Sequence, residues 1–191
     1  MTIKKFMTFD LLVLTIMAVV VDVIGYFASQ SQLVFLYVSL SIPVILIAYI
    51  RWGYKALVIN LVIVIVHLIL YRGIQVLPMM IYLMSLVSIS VSMIWFKFTK
   101  KNGIKDEVLL VTLYFLTAYI TLFFIQAIAQ YVEGGEIQWV TLLIRHSVNI
   151  ILGWVILMIA SRQQDLMVDM KTYLLKQIAE RKKEGTYDYD K

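Results

Sequence analysis

The chain contains no cysteine and only two prolines among its 191 residues. Without cysteine there is no disulfide framework, no iron–sulfur cluster and no thiolate metal site. Charged residues are also scarce: they make up 15% of the chain, against about 25% in an average soluble domain. Hydrophobic residues make up 62%. This balance excludes an ordinary soluble domain and favours a membrane protein.

Catalytic motifs are lacking as well. The sequence has no HExxH, no GxSxG, no Walker phosphate loop and no EF-hand pattern. Its two histidines have no spacing that suits a metal ion. We therefore expect no catalytic residues, no metal and no cofactor, and we expect any coupled ATP hydrolysis to be performed by separate subunits.

Long apolar runs are what the sequence has in abundance. A membrane-spanning helix needs about 20 mostly apolar residues. Runs of this kind occur six times, at 11–28, 33–50, 56–71, 74–96, 108–132 and 138–160. They predict an all-α membrane protein, a bundle of six transmembrane helices over residues 1–160.

The distribution of basic residues predicts the orientation of this bundle. Cytoplasmic loops of multispanning proteins are enriched in Lys and Arg. Basic residues gather at 4–5, 51–55 and 97–105, whereas the loop after the fifth run carries Glu133 and Glu136. We expect a multi-pass cell-membrane protein with both termini in the cytoplasm. The net charge of +5 then lies against the lipid bilayer, not against nucleic acid.

Residues 161–191 form a polar tail. Its apolar residues recur at three- and four-residue spacing, at Leu166, Met170, Tyr173, Leu174 and Ile178. This spacing predicts an amphipathic cytoplasmic helix through 167–183. One interpretation is an interfacial helix that caps the bundle; the other is a docking element or a connector to an output domain.

Polar residues inside the apolar runs are the main functional signal. A charge near the centre of a bilayer costs about 2.5–3.5 kcal/mol on insertion scales. With the predicted orientation, most such residues fall in the half of the membrane away from the cytoplasm, and Asn60 is the main polar group expected in the inner half. The candidate substrate-binding residues are Asp22, Tyr26, His67, Arg72, Gln126, Gln130, Arg145, His146 and Asn149. Lipid cannot satisfy these groups, so the sequence predicts that they line an outward-facing pocket.

Each candidate also has a structural interpretation. Arg145 either faces a ligand or forms a buried ion pair with Asp22. His146 either binds the ligand or bonds a neighbouring carbonyl. Gln126 and Gln130 are either ligand contacts or hydrogen bonds between helices. These alternatives stay open on the sequence alone.

The side chains also indicate the chemistry of the ligand. Because Arg binds carboxylate or phosphate bidentately, Arg145 and Arg72 predict an anionic group. Six aromatic side chains are candidates to stack on a ring, namely Tyr26, Tyr37, Tyr71, Tyr82, Trp139 and Trp154.

Two segments carry a resemblance to a known family. The stretch KKFMTFDLLVLTIMAVV at 4–20 resembles the basic start and first helix of the S components of energy-coupling factor (ECF) transporters, and IPVILIAYIRWGYKALVINLV at 42–62 resembles their junction of helices 2 and 3. The resemblance implies a substrate-capturing membrane subunit that imports a vitamin-like micronutrient. It also implies partners, namely a coupling membrane protein and ATPase subunits.

Two other functions compete with this one. The first is a membrane sensor or anchor module that signals through its tail helix. The second is a structural membrane protein of an assembly complex, which leaves the polar residues of the outer half unexplained.

Overall fold

The computed structural model describes residues 2–31, 39–72 and 76–187, and every regular element in these ranges is helical. Within the described ranges there are nine α-helices: α1 Ile3–Ser31, α2 Ser41–Trp52, α3 Leu57–His67, α4 Val76–Ser88, α5 Trp95–Phe98, α6 Lys101–Ile104, α7 Val108–Gly134, α8 Trp139–Arg162 and α9 Met170–Tyr187. Turns of 3-10 helix occupy Gly53–Ala56 and Ile89–Ile94, and a π-helical turn occupies Leu68–Arg72.

In the part of the chain that the structure describes, four helical segments are long and apolar enough to cross a membrane. They are Ile3–Ala28, Ser41–Leu70, Val108–Val132 and Trp139–Arg162, with Leu83–Phe98 as a shorter apolar segment. Large apolar side chains such as Phe27, Phe124 and Ile151 stand exposed on these helices. Such surfaces are unfavourable in water and favourable in lipid. The prediction of an all-α, membrane-embedded protein is confirmed.

Helix α2 lies at the centre of the bundle, and all twelve of its residues are buried. Its sequence SIPVILIAYIRW is apolar on every side, which is the pattern of a helix enclosed by others. It packs against α1, α3 and α8, while α4 packs against α3 and α7. Because α2 is enclosed, polar groups at its two ends must find partners inside the protein.

The chain reverses direction between α2 and α3. Gly53 has φ 62° and ψ −141°, a conformation that residues with a side chain rarely adopt. The Asp22 carboxylate contacts both Ser41 N, at 3.1 Å, and His67 Nε2, at 2.6 Å. In one straight helix these two partners would be roughly 39 Å apart. The Ser41–Leu70 segment is therefore a hairpin with two arms.

Three helices differ in extent from the predicted runs. Helix α2 begins at Ser41, whereas the run 33–50 predicts a helix from residue 33; residues 39–40 are not helical, and 32–38 lie outside the described part of the chain. Helix α1 begins at Ile3, not at residue 11, because the charged residues of its first turns favour a helix as much as the apolar ones do. The predicted run 74–96 is α-helical only to Ser88, and then continues as 3-10 helix through the sequence ISVSMI. Serine and β-branched residues weaken the α-helix there.

The tail returns to the bundle before α9 begins. Met167 and Met170 are buried in the core, and Tyr173 and Leu174 pack against it. Leu166 and Ile178, however, are 37% and 43% exposed. Three of the five predicted positions therefore pack against the bundle. Leu166 is not on the helix, because α9 starts at Met170 and Leu166 lies in the preceding turn, whereas Ile178 lies on α9 and is exposed.

Candidate functional site

Asp22 on α1 is the centre of a buried polar cluster. Its Oδ1 accepts hydrogen bonds from Ser39 Oγ at 2.9 Å and from Ser41 N at 3.1 Å. Its Oδ2 lies 2.6 Å from His67 Nε2. The side chains of Asp22 and His67 are 0% and 1% exposed. We refer to Asp22, Ser39, Ser41, His67 and Asn149 as the Asp22 cluster.

Asn149 joins helix α8 to this cluster. Its Oδ1 accepts a hydrogen bond of 2.9 Å from Ser39 N, and its side chain is fully buried. The backbone N–H groups of Ser39 and Ser41 precede or begin α2, so they have no partner within that helix. Side-chain oxygens of α1 and α8 therefore cap the entry of the enclosed helix α2. The cluster draws on α1, α2, α3 and α8.

The order of contacts in the cluster limits its chemistry. Asp22 lies between Ser39 and His67, and the serine hydroxyl donates to the carboxylate. A serine nucleophile needs the imidazole next to its hydroxyl, with the carboxylate behind the imidazole. This arrangement stabilises a buried charge and does not activate Ser39 for attack.

Arg145 and Asn149 lie one helical turn apart on the same face of α8. Arg145 is half-buried and lies nearer than Asn149 to the loop between α7 and α8. Among the described residues, His67 lies within 4 Å of the Asp22 carboxylate, and Arg145 does not. The predicted alternative of an Asp22–Arg145 pair is therefore wrong, and His67 takes that position.

His146 and Gln126 form a second contact between α7 and α8. Nε2 of His146 lies 2.6 Å from Oε1 of Gln126. The imidazole packs edge-on against Phe123 at 5.7 Å between ring centroids, and His146 is 1% exposed. The contact agrees with one of the two interpretations of Gln126, a hydrogen bond between neighbouring helices.

Gln130 and Tyr26 make contacts away from these two sites. Oε1 of Gln130 accepts a hydrogen bond from Gln138 N at 3.3 Å, so it holds the loop that begins α8. Tyr26 is half-buried and packs edge-on against Phe27 at 5.6 Å. Arg72 ends the π-helical turn, and its side chain lies outside what the structure describes. Of the predicted aromatic residues, the side chains of Tyr37, Tyr71 and Tyr82 also lie outside it.

Tyr119 on α7 belongs to the same region, and sequence analysis missed it. It is 3% exposed, and no hydrogen-bond partner for its hydroxyl is present among the described residues. It also lines an apolar cleft of about 230 Å³ between α7 and α8, together with Phe123 and Trp139. The available signal was its position seven residues before Gln126, which places both on one face of α7.

A second polar cluster lies at the other end of α2. Arg51 donates from Nε and Nη2 to the two oxygens of Asp10, at 2.8 and 2.9 Å. Its Nη1 donates to the carbonyls of Asp165 and Leu166 in the turn before α9, at 2.8 and 3.1 Å. Trp52 Nε1 also donates to Asp10. We call Asp10, Arg51 and Trp52 the Arg51 cluster.

This cluster corrects the expectation that Asn60 is the main polar group of its half. Asn60 donates to Tyr49 Oη and to the carbonyl of Leu86, both at 2.6 Å. It therefore ties α2, α3 and α4 together. The Arg51 cluster adds a buried ion pair nearby, so strong polar groups lie at both ends of the bundle.

The fold and the two clusters define a class in broad terms: a helical, membrane-embedded protein with buried charged groups at both ends of its central helix. A scan against protein-family models finds no match, and searches of curated proteins and of solved structures find none either. Any particular function therefore depends on the chemistry of the side chains described above.

Proposed function

We propose that the chain is the substrate-capturing membrane subunit of an ECF-type transporter, which imports a vitamin-like micronutrient with an anionic group. Separate partners, a coupling membrane protein and ATPase subunits, supply the energy. The observation that carries this proposal is the Asp22 cluster, in which a fully buried carboxylate contacts Ser39, Ser41 and His67, and Asn149 of α8 joins through Ser39. Intramembrane ionisable groups are costly and usually mark a substrate pathway.

The proposal includes six membrane spans with both termini in the cytoplasm. The reversal at Gly53 supports this number, because it divides the Ser41–Leu70 segment into two arms. The orientation is supported by the basic residues at 4–5, 51–55 and 97–105, which the positive-inside rule assigns to the cytoplasm. The Asp22 cluster then lies in the outer half of the bilayer.

Three features support a ligand site beside the Asp22 cluster. Arg145 brings a positive charge one turn from Asn149, which suits a carboxylate or phosphate. The Tyr119 hydroxyl is buried next to the aromatic cleft, where a ligand group can bond it. Phe123 and Trp139 offer ring faces and edges for stacking. An anionic compound with a ring satisfies all three.

The test is mass spectrometry of small molecules that the purified full-length protein retains, followed by affinity measurements with the compound found. Arg145→Ala should weaken binding about 10- to 100-fold, since a charge-assisted hydrogen bond contributes about 1.5–3 kcal/mol. Tyr119→Phe removes only the hydroxyl and should weaken binding about fivefold. The matched control is Tyr54→Phe, because Tyr54 is 72% exposed and lies near the Arg51 cluster.

Two results would contradict the proposal. One is the repeated absence of any retained compound when the protein is purified from cells grown in rich medium. The other is a retained compound whose affinity is unchanged in both Arg145→Ala and Tyr119→Phe.

A sensor module is the second candidate, and one observation favours it. Arg51 bonds the carbonyls of Asp165 and Leu166, so the base of the tail is fixed directly to the central helix α2. A change at the other end of α2, where Ser41 meets Asp22, has a rigid path of about three helical turns to the tail. In that case ligand binding is kept and the output is a movement of α9.

A further inference from the structure

A cleft of about 890 Å³ opens at the same end of the bundle as the Arg51 cluster. It lies between the start of α1, the Gly53 turn, α5, α6 and the start of α9. Five lysines line it, and we call it the lysine cleft: Lys4, Lys55, Lys97, Lys101 and Lys171. They come from four separate parts of the chain, since only Lys97 and Lys101 are close in sequence, so their convergence is a product of the fold.

The positive charge of the cleft is only partly balanced. Asp169, the one carboxylate of its lining, lies 3.6 Å from Lys101. Arg51, which also lines the cleft, is paired with Asp10. For the other four lysines, no carboxylate lies within 4 Å in the described part of the chain. These four exposed ammonium groups repel one another across the cavity, and a bound anion would relieve that repulsion.

The walls of the cleft are apolar as well as basic. Ile3, Met7, Trp52, Met93 and Phe96 line it beside the lysines, and Phe96 packs beneath the Lys101 ammonium at 5.5 Å. Just outside, Phe98 is 76% exposed and directly follows Lys97. Exposed aromatic rings next to lysines at the end of apolar helices are typical of the headgroup level of a membrane. A cavity with both surfaces suits an amphiphile better than a small soluble anion.

We propose that the lysine cleft binds an anionic phospholipid, with its phosphate among the lysines and its glycerol and upper acyl chains against the apolar wall. Lysine binds phosphate as a point charge and needs no fixed fork geometry. Basic pockets between helices at the cytoplasmic side of a membrane hold anionic lipid headgroups in this way. The inference does not depend on the transport proposal, because it uses none of the residues of the Asp22 cluster.

The test is native mass spectrometry of the full-length protein in neutral detergent, with added dioleoyl phosphatidylglycerol or dioleoyl phosphatidylcholine. The wild type should prefer phosphatidylglycerol. The triple variant K4Q/K55Q/K97Q should lose this preference, with an affinity lower by roughly fivefold for each lysine and on the order of 100-fold in total. All three side chains are exposed, so the fold should tolerate the changes.

The matched control removes the same charge from outside the cleft. Lys5, Lys100 and Lys183 are exposed and do not line it. K5Q/K100Q/K183Q should change the affinity by about threefold or less, because separated surface charges are screened. K4R/K55R/K97R keeps the charge and should keep the preference.

Three results would overturn the assignment to a lipid. Equal losses of affinity for phosphatidylglycerol in the two Gln variants would show that diffuse surface charge, not the cleft, attracts this lipid. Competition by inorganic phosphate or glycerol 3-phosphate as effective as that by the intact lipid would identify a soluble phosphate site. Lysine-dependent binding of a poly-glutamate peptide that is tighter than that of the lipid would identify an acidic protein partner.

Discussion

Asp22→Ala is expected to lower the free energy of unfolding by about 3–5 kcal/mol, because it leaves three buried partners unsatisfied, at about 1–3 kcal/mol each. The change deprives His67 of its carboxylate partner at 2.6 Å. It also removes the acceptor for Ser39 Oγ and Ser41 N, which are buried and have little access to water. The effect is measured by unfolding the protein in detergent through titration with sodium dodecyl sulfate.

A double-mutant cycle separates the pair from the rest of the cluster. Asp22→Asn keeps an oxygen for Ser39 and Ser41 and should cost about 1.5–3 kcal/mol, mainly through His67. His67→Gln should cost much less once Asp22→Asn is present, because the two residues share one interaction. Asp106→Ala, at an exposed position, is the control and should change stability by about 0.5 kcal/mol or less. Fully additive losses would contradict the pairing of Asp22 with His67.

Arg51→Ala should lower the free energy of unfolding by about 2–4 kcal/mol, because it ends four hydrogen bonds from one buried guanidinium. Two of these bonds hold the Asp10 carboxylate, and two hold the turn that precedes α9. The variant should therefore also release the tail. Trypsin should cleave the Lys- and Arg-rich segment 176–183 faster than in the wild type, at a temperature where both proteins remain folded.

Two further variants make this result specific. Arg51→Lys keeps the charge but lacks the planar fork that reaches Asp10 and the tail carbonyls together. Its stability and its cleavage rate should therefore lie between those of the wild type and of Arg51→Ala. Arg162→Ala removes an exposed arginine near the tail and should leave the cleavage rate unchanged. Equal cleavage rates in wild type and Arg51→Ala would show that Arg51 does not fix the tail. If the protein is a sensor, Arg51→Ala should keep its ligand and lose its output.

The helical, membrane-embedded architecture is readable from the sequence because it depends on the length of apolar runs. The bounds of α7 and α8 differ from the predicted runs by two residues or less at each end. Helix α1 was harder, because charged residues at its start look like a boundary when only hydropathy is considered. A run that begins at residue 11 leaves Asp10 outside, so the sequence analysis does not predict the pairing of Asp10 with Arg51.

The sequence predicts which polar residues lie near one another, but not which of them touch. Asp22, His67 and Asn149 were expected near one another, and the structure joins Asp22 to His67 directly and to Asn149 through Ser39. The partner of Asp22 depends on how α1, α3 and α8 are rotated about their axes. A difference of one residue turns a side chain by about 100°, so sequence spacing alone could not decide between Arg145 and His67.

Tyr119 shows a different limit. Hydropathy counts tyrosine among apolar residues, so a tyrosine within an apolar run gives no warning that its hydroxyl is buried. Only the packing of α7 against α8 shows that this hydroxyl has no partner among the described residues. The lysine cleft is similar, since its five lysines come from four separate stretches of the sequence that meet only through the fold.

The central claim is that the Asp22 cluster belongs to the outer half of the membrane, where a ligand arrives from outside the cell. Because the chain has no cysteine, single cysteines introduced at exposed positions report orientation without background. Glu136→Cys lies in the loop between α7 and α8, and Asp106→Cys lies at the opposite end of α7. With a membrane-impermeant maleimide on intact cells, we expect Glu136→Cys to be labelled and Asp106→Cys to be labelled only after permeabilisation. The reverse pattern would place the cluster on the cytosolic side and contradict capture from outside.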